Sequence, residues 1–320
     1  MSEFSLIERW FTSLTPQRDD VSLGIGDDCA VLNCPEQQQL LVSIDTLVEG
    51  VHFFADVDPE ALGHKALAVN LSDLAAMAAT PAWFTLALTL PERNEAWLQR
   101  FSQGLLGLAQ QHNIQLVGGD TTRGPLSISI QVHGFAERNK AVRRDGAKVG
   151  DHIFVSGSLG DAGAALQQRL GSWQATELSV ADKQYLQQRL ERPTPRNNLT
   201  ALLRRYANAA IDISDGLLAD LGHILKRSQV GARINVDQLP LSPVLKKLTP
   251  EQAQGLALMS GDDYELCFTV AAEHVSAVLA ESDDIHCIGK ITADERCELV
   301  NTQGESISTP NNRGYDHFND

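Results

Sequence analysis

WFTLALTL, residues 83–90, and PLSISIQVHG, residues 125–134, decide the fold class. Alternation puts Phe84, Leu86, Leu88 and Leu90 on one face of the first and Leu126, Ile128, Ile130 and Val132 on one face of the second. That period of two predicts two half-buried strands. Between them, Glu95 to His112 carries helical spacing. Upstream, DPEALGHKALAVNLSDLAAMAA, residues 58–79, opens a second helix with Asp58 as N-cap and Pro59 at the first helical position. Strands with interleaved helices define an α/β fold with an α+β grain, built on mixed sheets with helices packed on them.

At 320 residues the chain exceeds what one hydrophobic core usually fills, so two domains are expected. AERNKAVRRDGAKVGD, residues 136–151, is polar, basic and punctuated by Gly146 and Gly150, which places the junction near residue 140. The expected domains are 1–140 and 141–320. The second begins with the strand DHIFVSG, a Gly-Ser loop and a helix from Asp161, and continues with the strands AAIDIS, ARINV, YELCFTV and IHCIGKI.

A formal net charge of −15 argues against nucleic acid or an anionic membrane as partner. The N-terminus lacks a basic start followed by an apolar core, and no apolar run approaches the ~18 residues of a membrane span. A cytoplasmic location is expected. The five cysteines, at 29, 34, 267, 287 and 297, show no C-x-x-C spacing and read as reduced and structural.

Carboxylates recur beside apolar segments and glycine turns. Asp27 and Asp28 sit in VSLGIGDDCAVL, Asp45 ends LLVSID, Asp120 ends IQLVGGD, Asp212 and Asp215 sit in AAIDISDG, and Asp262 with Asp263 ends LALMSGDD. Gathered in one cleft, such groups repel one another unless a cation lies among them. Oxygen ligands without His or Cys favour a hard ion such as Mg²⁺. Asp73 lies in an apolar helix with Asn70 three residues back on the same face, which leaves two readings open, an exposed edge or a ligand. Metals would let an acidic protein hold an acidic nucleotide, with Arg143 and Arg144 adding forked donors unless they belong to a solvated linker. There is no G-x-x-x-x-G-K-[ST], GIGDDC fails the dinucleotide fingerprint at its third glycine, and VSGSLGD does not satisfy G-x-S-x-G. Phosphoryl transfer here would rest on metals and positioning.

GIGDDCAVL, VSIDTLVEGVHF, KALAVNLSDLAAMAATPAW, VGGDTTRG, AIDISDGLLADLGHI and SGDDYELCF, in that order, together resemble the thiamine-monophosphate kinase family, in the superfamily of aminoimidazole ribonucleotide synthetase. The resemblance implies a two-domain α/β fold, a homodimer built through the N-terminal domains, and ATP-dependent phosphorylation of thiamine monophosphate to thiamine diphosphate with several Mg²⁺ ions. It implies a metal shell at Asp28, Ser43, Ile44, Asp45, Asp73, Asp120, Asp212 and Asp215, with Ile44 offering only its backbone carbonyl. It further implies nucleotide contacts at Gly119, Asp120, Arg144 and Ser214, and substrate contacts at His52 and Asp262. No general base is implied. The chain departs from the family pattern at Ile44, where Thr is common, at Asp262, where Glu is expected, and at Asn312, where a Trp is expected against the substrate. Tyr315 or Phe318 are the aromatic alternatives to that Trp. Two rival readings are another ATP-dependent synthetase of the superfamily and a non-catalytic acidic protein binding Mg²⁺ or Ca²⁺.

Overall fold

The computed structural model describes residues 7–12, 14–173 and 178–308. Asn312, Tyr315 and Phe318 lie outside the described residues. The chain divides into two compact units, Met1–Leu74 with Ala79–Ala141, and Ala75–Ala78 with Val142–Asp320.

In the first unit, β1 (Val21–Leu23) and β2 (Val31–Leu32) form an antiparallel hairpin with the Gly-Asp-Asp segment between them. A four-stranded mixed sheet follows, made of β3 (Gln38–Val48), β4 (Thr80–Leu90), β5 (Gln115–Arg123) and β6 (Ser127–Glu137), in the order β3-β6-β4-β5. Only β4 and β5 run parallel. Between β3 and β4 lies α1 (Pro59–Ala76), and between β4 and β5 lies α2 (Glu95–Gln111). The N-cap expected at Asp58 is present, its Oδ1 accepting from Glu60 N at 2.9 Å and Ala61 N at 3.2 Å.

From Ala61 to Ala76, helix α1 is buried except at His64 and Asp73. A helix apolar on nearly every side is a core helix. Two glycines let it meet α2 backbone to backbone, since a Cβ on Gly63 would stand 2.0 Å from Phe101 O and one on Gly104 would stand 1.8 Å from Glu60 O.

The register assigns β3 two unlike faces. Asp45, Ile130, Leu86 and Gly119 form one row across the sheet, and Ser43, Val132 and Phe84 another. Ser43 and Asp45 thus share the face of the buried Phe84, Leu86, Ile130 and Val132. Leu40, Val42 and Ile44 point the other way and are 44%, 51% and 59% exposed. The expected half-burial of β4 is corrected: Ala82 and Trp83 are buried too, because Val21, Ala30 and Leu32 of the hairpin segment pack over them with Val117 and Phe135. The uncovered apolar face belongs to the edge strand β3.

The second unit holds a seven-stranded sheet. Its strands are β7 (His152–Ser156), β8 (Ala207–Ile213), β9 (Gly231–Asn235), β10 (Glu265–Val270), β11 (Ile285–Thr292), β12 (Cys297–Val300) and β13 (Ser306–Ile307), in the order β13-β12-β9-β11-β7-β10-β8. Its longer helices include α3 (Asp161–Arg169), α4 (Val180–Glu191), α5 (Thr200–Tyr206), α6 (Leu217–Ser228), α7 (Pro250–Met259) and α8 (Val275–Glu281). Every residue of β10 is buried, because alternate side chains enter two cores. Cys267 joins Ile211, Ile213 and Leu221 in one, and Leu266 and Phe268 join Phe154, Ala210 and Leu203 in the other. Strands β12 and β13 escaped the sequence reading, being short and framed by polar residues. No disulfide joins the described cysteines; Cys267 is buried, whereas Cys29 and Cys34 are exposed and do not serve the core.

Candidate active site

Three groups of residues carry the candidate chemistry. The first is built where β3 meets α1. Ser43 Oγ donates to Asp73 Oδ2, and Asp45 N donates to Asn70 Oδ1 at 3.2 Å, while Asn70 Nδ2 donates to Ala66 O at 3.0 Å. Asn70 is 1% exposed, so its amide is a fixed strut, and Asp73 stands at the opening in the buried helix. Burial, with the Asp73 charge beside it, pushes the Asp45 carboxyl up to about 7. Two carboxylates and a hydroxyl on one patch, with charge that burial disfavours, are a donor set suited to a hard cation. Asp45 does not end its strand as expected; it lies three residues inside β3, and its inward aim comes from the pleat.

The second group lines a cavity of about 450 Å³ in the same unit, walled by Ile25, Leu86, Leu116 and Val117 and carrying Asp27, Asp28, Gly119 and Asp120. Asp28 is exposed, and its amide donates to Asp27 Oδ1 at 2.8 Å. Gly119 has a packing reason to be glycine, since a Cβ there would lie 1.9 Å from Leu86 O. Asp120 pairs with Ala87, one residue beyond the row of Asp45, so it faces the opposite side of the sheet. Three strand spacings, about 14 Å, separate the Asp45 row at β3 from β5. Within this unit Asp28 and Asp120 line the cavity, and Asp45 and Asp73 stand where β3 meets α1. Ile44, with its side chain outward, offers the latter place only backbone.

The third group is a turn in the second unit. Asp212 is buried on β8 and in register with Leu266; Ser214 and Asp215 follow at the strand end. The segment after α7 folds onto this turn, with Asp262 N donating to Ser214 O and Tyr264 N to Ile213 O, both at 2.8 Å. The apolar segment before Asp262 and Asp263 is the helix α7, which ends at Met259, and Gly261 links it to the two carboxylates. These neighbours have unlike roles. Asp262 is half-buried, whereas Asp263 is 1% exposed and accepts from Gly160 N at 2.6 Å, and burial holds its carboxyl well above the usual range.

The Arg pair also separates. Arg143 is neutralised by Asp145, while Arg144 is exposed with its backbone oxygen accepting from Ser228 Oγ at 3.0 Å. His52 closes the turn after β3, its Nδ1 accepting from Val48 N at 3.0 Å. Among the described residues, no three His, Cys, Asp or Glu side chains enclose a ready metal cage. Asp220 went unnoticed at the sequence level. Its signal was a lone carboxylate in the apolar stretch LLADLGHI, and the structure buries it at 3% exposure.

Compared with known proteins, residues 26–136 match the N-terminal domain of AIR synthase related proteins and residues 148–301 match their C-terminal domain. Fold and site elements thus define an AIR synthase related protein. The thiamine-monophosphate kinase of Escherichia coli O157:H7 is 51% identical over 321 residues, covering 99% of this chain and 98% of that protein. The crystal structure of thiamine-monophosphate kinase from Stenotrophomonas maltophilia K279a superposes with a TM-score of 0.86 at 50% identity, covering 96% and 98% of the two chains. AaThiL complexed with AMPPCP and TMP superposes with a TM-score of 0.77 at 35% identity, covering 99% and 97%. The chain belongs to the thiamine-monophosphate kinase family. Among the described residues, no helix is long and apolar enough to cross a membrane.

Proposed function

We propose that this protein phosphorylates thiamine monophosphate to thiamine diphosphate with ATP, by direct transfer assisted by Mg²⁺, as a homodimer in the cytoplasm. The observation that carries the reading is the full-length likeness at 51% identity to thiamine-monophosphate kinases, together with a relative solved with AMPPCP and TMP. Such transfer asks the protein for positioning and charge neutralisation rather than a general base. Asp45 and Asp73, with Ser43 and the Ile44 carbonyl, would hold magnesium, as would Asp28 and Asp120 beside the cavity and Asp212 and Asp215 at the turn. Magnesium held by these residues would supply neutralisation of the charge that develops during transfer. In the first unit Gly119 and Asp120 would contact the nucleotide and His52 the thiamine substrate; in the second unit Arg144 and Ser214 would contact the nucleotide and Asp262 the substrate.

Mass spectrometry of the products from ATP, Mg²⁺ and thiamine monophosphate tests the reading. Thiamine diphosphate and ADP are expected in equal amounts, with loss of product in excess EDTA and recovery on adding Mg²⁺; ATP consumed without thiamine monophosphate would overturn it. Arg144→Ala is expected to weaken ATP binding by about 1.5–3 kcal/mol, the usual worth of a hydrogen bond to a charged group. Titration calorimetry with a non-hydrolysable analogue checks this, and unchanged affinity would return Arg144 to the linker.

Leu40, Val42 and Ile44, on one face of an edge strand, together with exposed Val31 and Leu23, are too much apolar surface to leave in water without a partner. A second copy of the chain covers them in this reading. Light scattering at micromolar concentration should give twice the 34.8 kDa chain mass, and Val42→Glu should shift it toward the monomer. A wild-type monomer would contradict the dimer.

A further inference from the structure

The backbone that leads into α6 is gathered on one carboxylate. Its N-cap is Gly216, which provides no side chain to cap the first turn. From inside the helix Asp220 instead holds the residues leading into it: a single oxygen, Oδ2, accepts from Ser214 N and Asp215 N at 3.0 Å and from Gly216 N at 3.2 Å. Three backbone donors converge on this oxygen and offset part of the burial that raises the Asp220 carboxyl. The opposite edge of the turn is held by the Asp262 and Tyr264 amides described above. Both of those residues have positive φ, 66° and 50°. Two glycines permit the close fit, as a Cβ on Gly261 would lie 2.2 Å from Ser214 O and one on Gly216 2.7 Å from Met259 O.

We infer that Asp220 is a positioning residue for phosphoryl transfer: it locks the Ser214–Asp215–Gly216 backbone so that the turn meets nucleotide and metal with the side chains of Ser214 and Asp215. Because Asp220 holds the Ser214 and Asp215 amides, these two residues meet a ligand through their side chains rather than through those N–H groups. The inference rests on the kinase reading proposed above.

The test uses the full-length protein and two variants, Asp220→Asn and Asp220→Ala. Asparagine keeps the shape and one neutral acceptor, so it should fold; alanine removes every acceptor. Amide exchange of peptides spanning 213–217 should accelerate at least tenfold in Asp220→Asn and more in Asp220→Ala, while β3 and α1 exchange as in wild type. The kcat should fall at least tenfold in Asp220→Asn, and calorimetric affinity for Mg²⁺-AMPPCP should weaken in parallel. A lower melting temperature with unchanged exchange at 213–217, unchanged kcat and unchanged nucleotide affinity would overturn the positioning role. Wild-type protein that makes no thiamine diphosphate would overturn the kinase reading and this inference with it, whereas an active wild type beside a fully active Asp220→Asn overturns the inference alone.

Discussion

Asp73→Asn is expected to lower kcat about a hundredfold or more while leaving the metal-free melting temperature unchanged or raised. The Asn oxygen can still accept from Ser43 Oγ, so local hydrogen bonding survives. What disappears is a negative charge that raises the Asp45 carboxyl in addition to its burial. Removing it relieves a repulsion between two carboxylates that is fully present only when both are ionised, so any gain in stability should be larger at pH 8 than at pH 5. The sign follows from linkage: a carboxyl whose folded pKa is raised binds its proton more tightly when folded, and stability falls as pH rises from the unfolded value toward 7. In the proposed reading activity moves the other way, because magnesium held there would supply charge neutralisation that phosphoryl transfer requires. Differential scanning calorimetry without metal, beside the rate at saturating Mg²⁺-ATP, measures both. An Asp73→Asn protein that melts lower yet turns over normally would make Asp73 a structural residue.

Glu265→Gln should be the most damaging single change to the second unit, costing about 3–5 kcal/mol, the usual penalty for breaking a buried ion pair from one side. Glu265 is fully buried at the start of β10. Arg196 grips it with Nε and Nη2, each at 2.5 Å, Arg189 adds Nη2 at 2.9 Å, and Ser156 Oγ donates at 2.6 Å. Glutamine leaves two guanidiniums, each 14% exposed at the side chain, facing a neutral group. The outer arm of the same network is a built-in control. Asp284 takes Arg196 Nη1 at 2.8 Å but is 58% exposed at the side chain, so Asp284→Asn should stay within about 1 kcal/mol of wild type. Urea midpoints followed by a probe in the second unit compare the two, and equal midpoints would show that burial does not set the worth of these pairs.

The buried network also shows why some of the candidate site was illegible along the chain. Asp262 and Asp263 are adjacent and chemically identical, yet one lies half-buried beside the Ser214 turn and the other is sealed against Gly160, 103 positions away. Likewise Arg143 and Arg144 are adjacent and chemically identical, yet Asp145 neutralises the first while the backbone of the second is held by Ser228. Asp220 carried a local signal, but its value depends on three amides turning back toward it, which no spacing rule specifies.

By itself the sequence determined most of the strand and helix alternation of both halves, the N-cap at Asp58, and the family. These follow from periodicity and residue type, which act over a few positions, and from six ordered motifs that few other chains would share. Only the tertiary structure decided which carboxylates stand together. The pleat and register of the first sheet send Asp45 inward toward Asp73, from 28 positions away in the chain, and leave Asp120 on the other face. Backbone folding in the second unit turns Asp220 into an anchor for the backbone leading into α6 and Asp263 into a strut. The reason is physical: a carboxylate is stable in any role that supplies it donors or a cation, so its identity says that it needs a partner, and only distance in space says which.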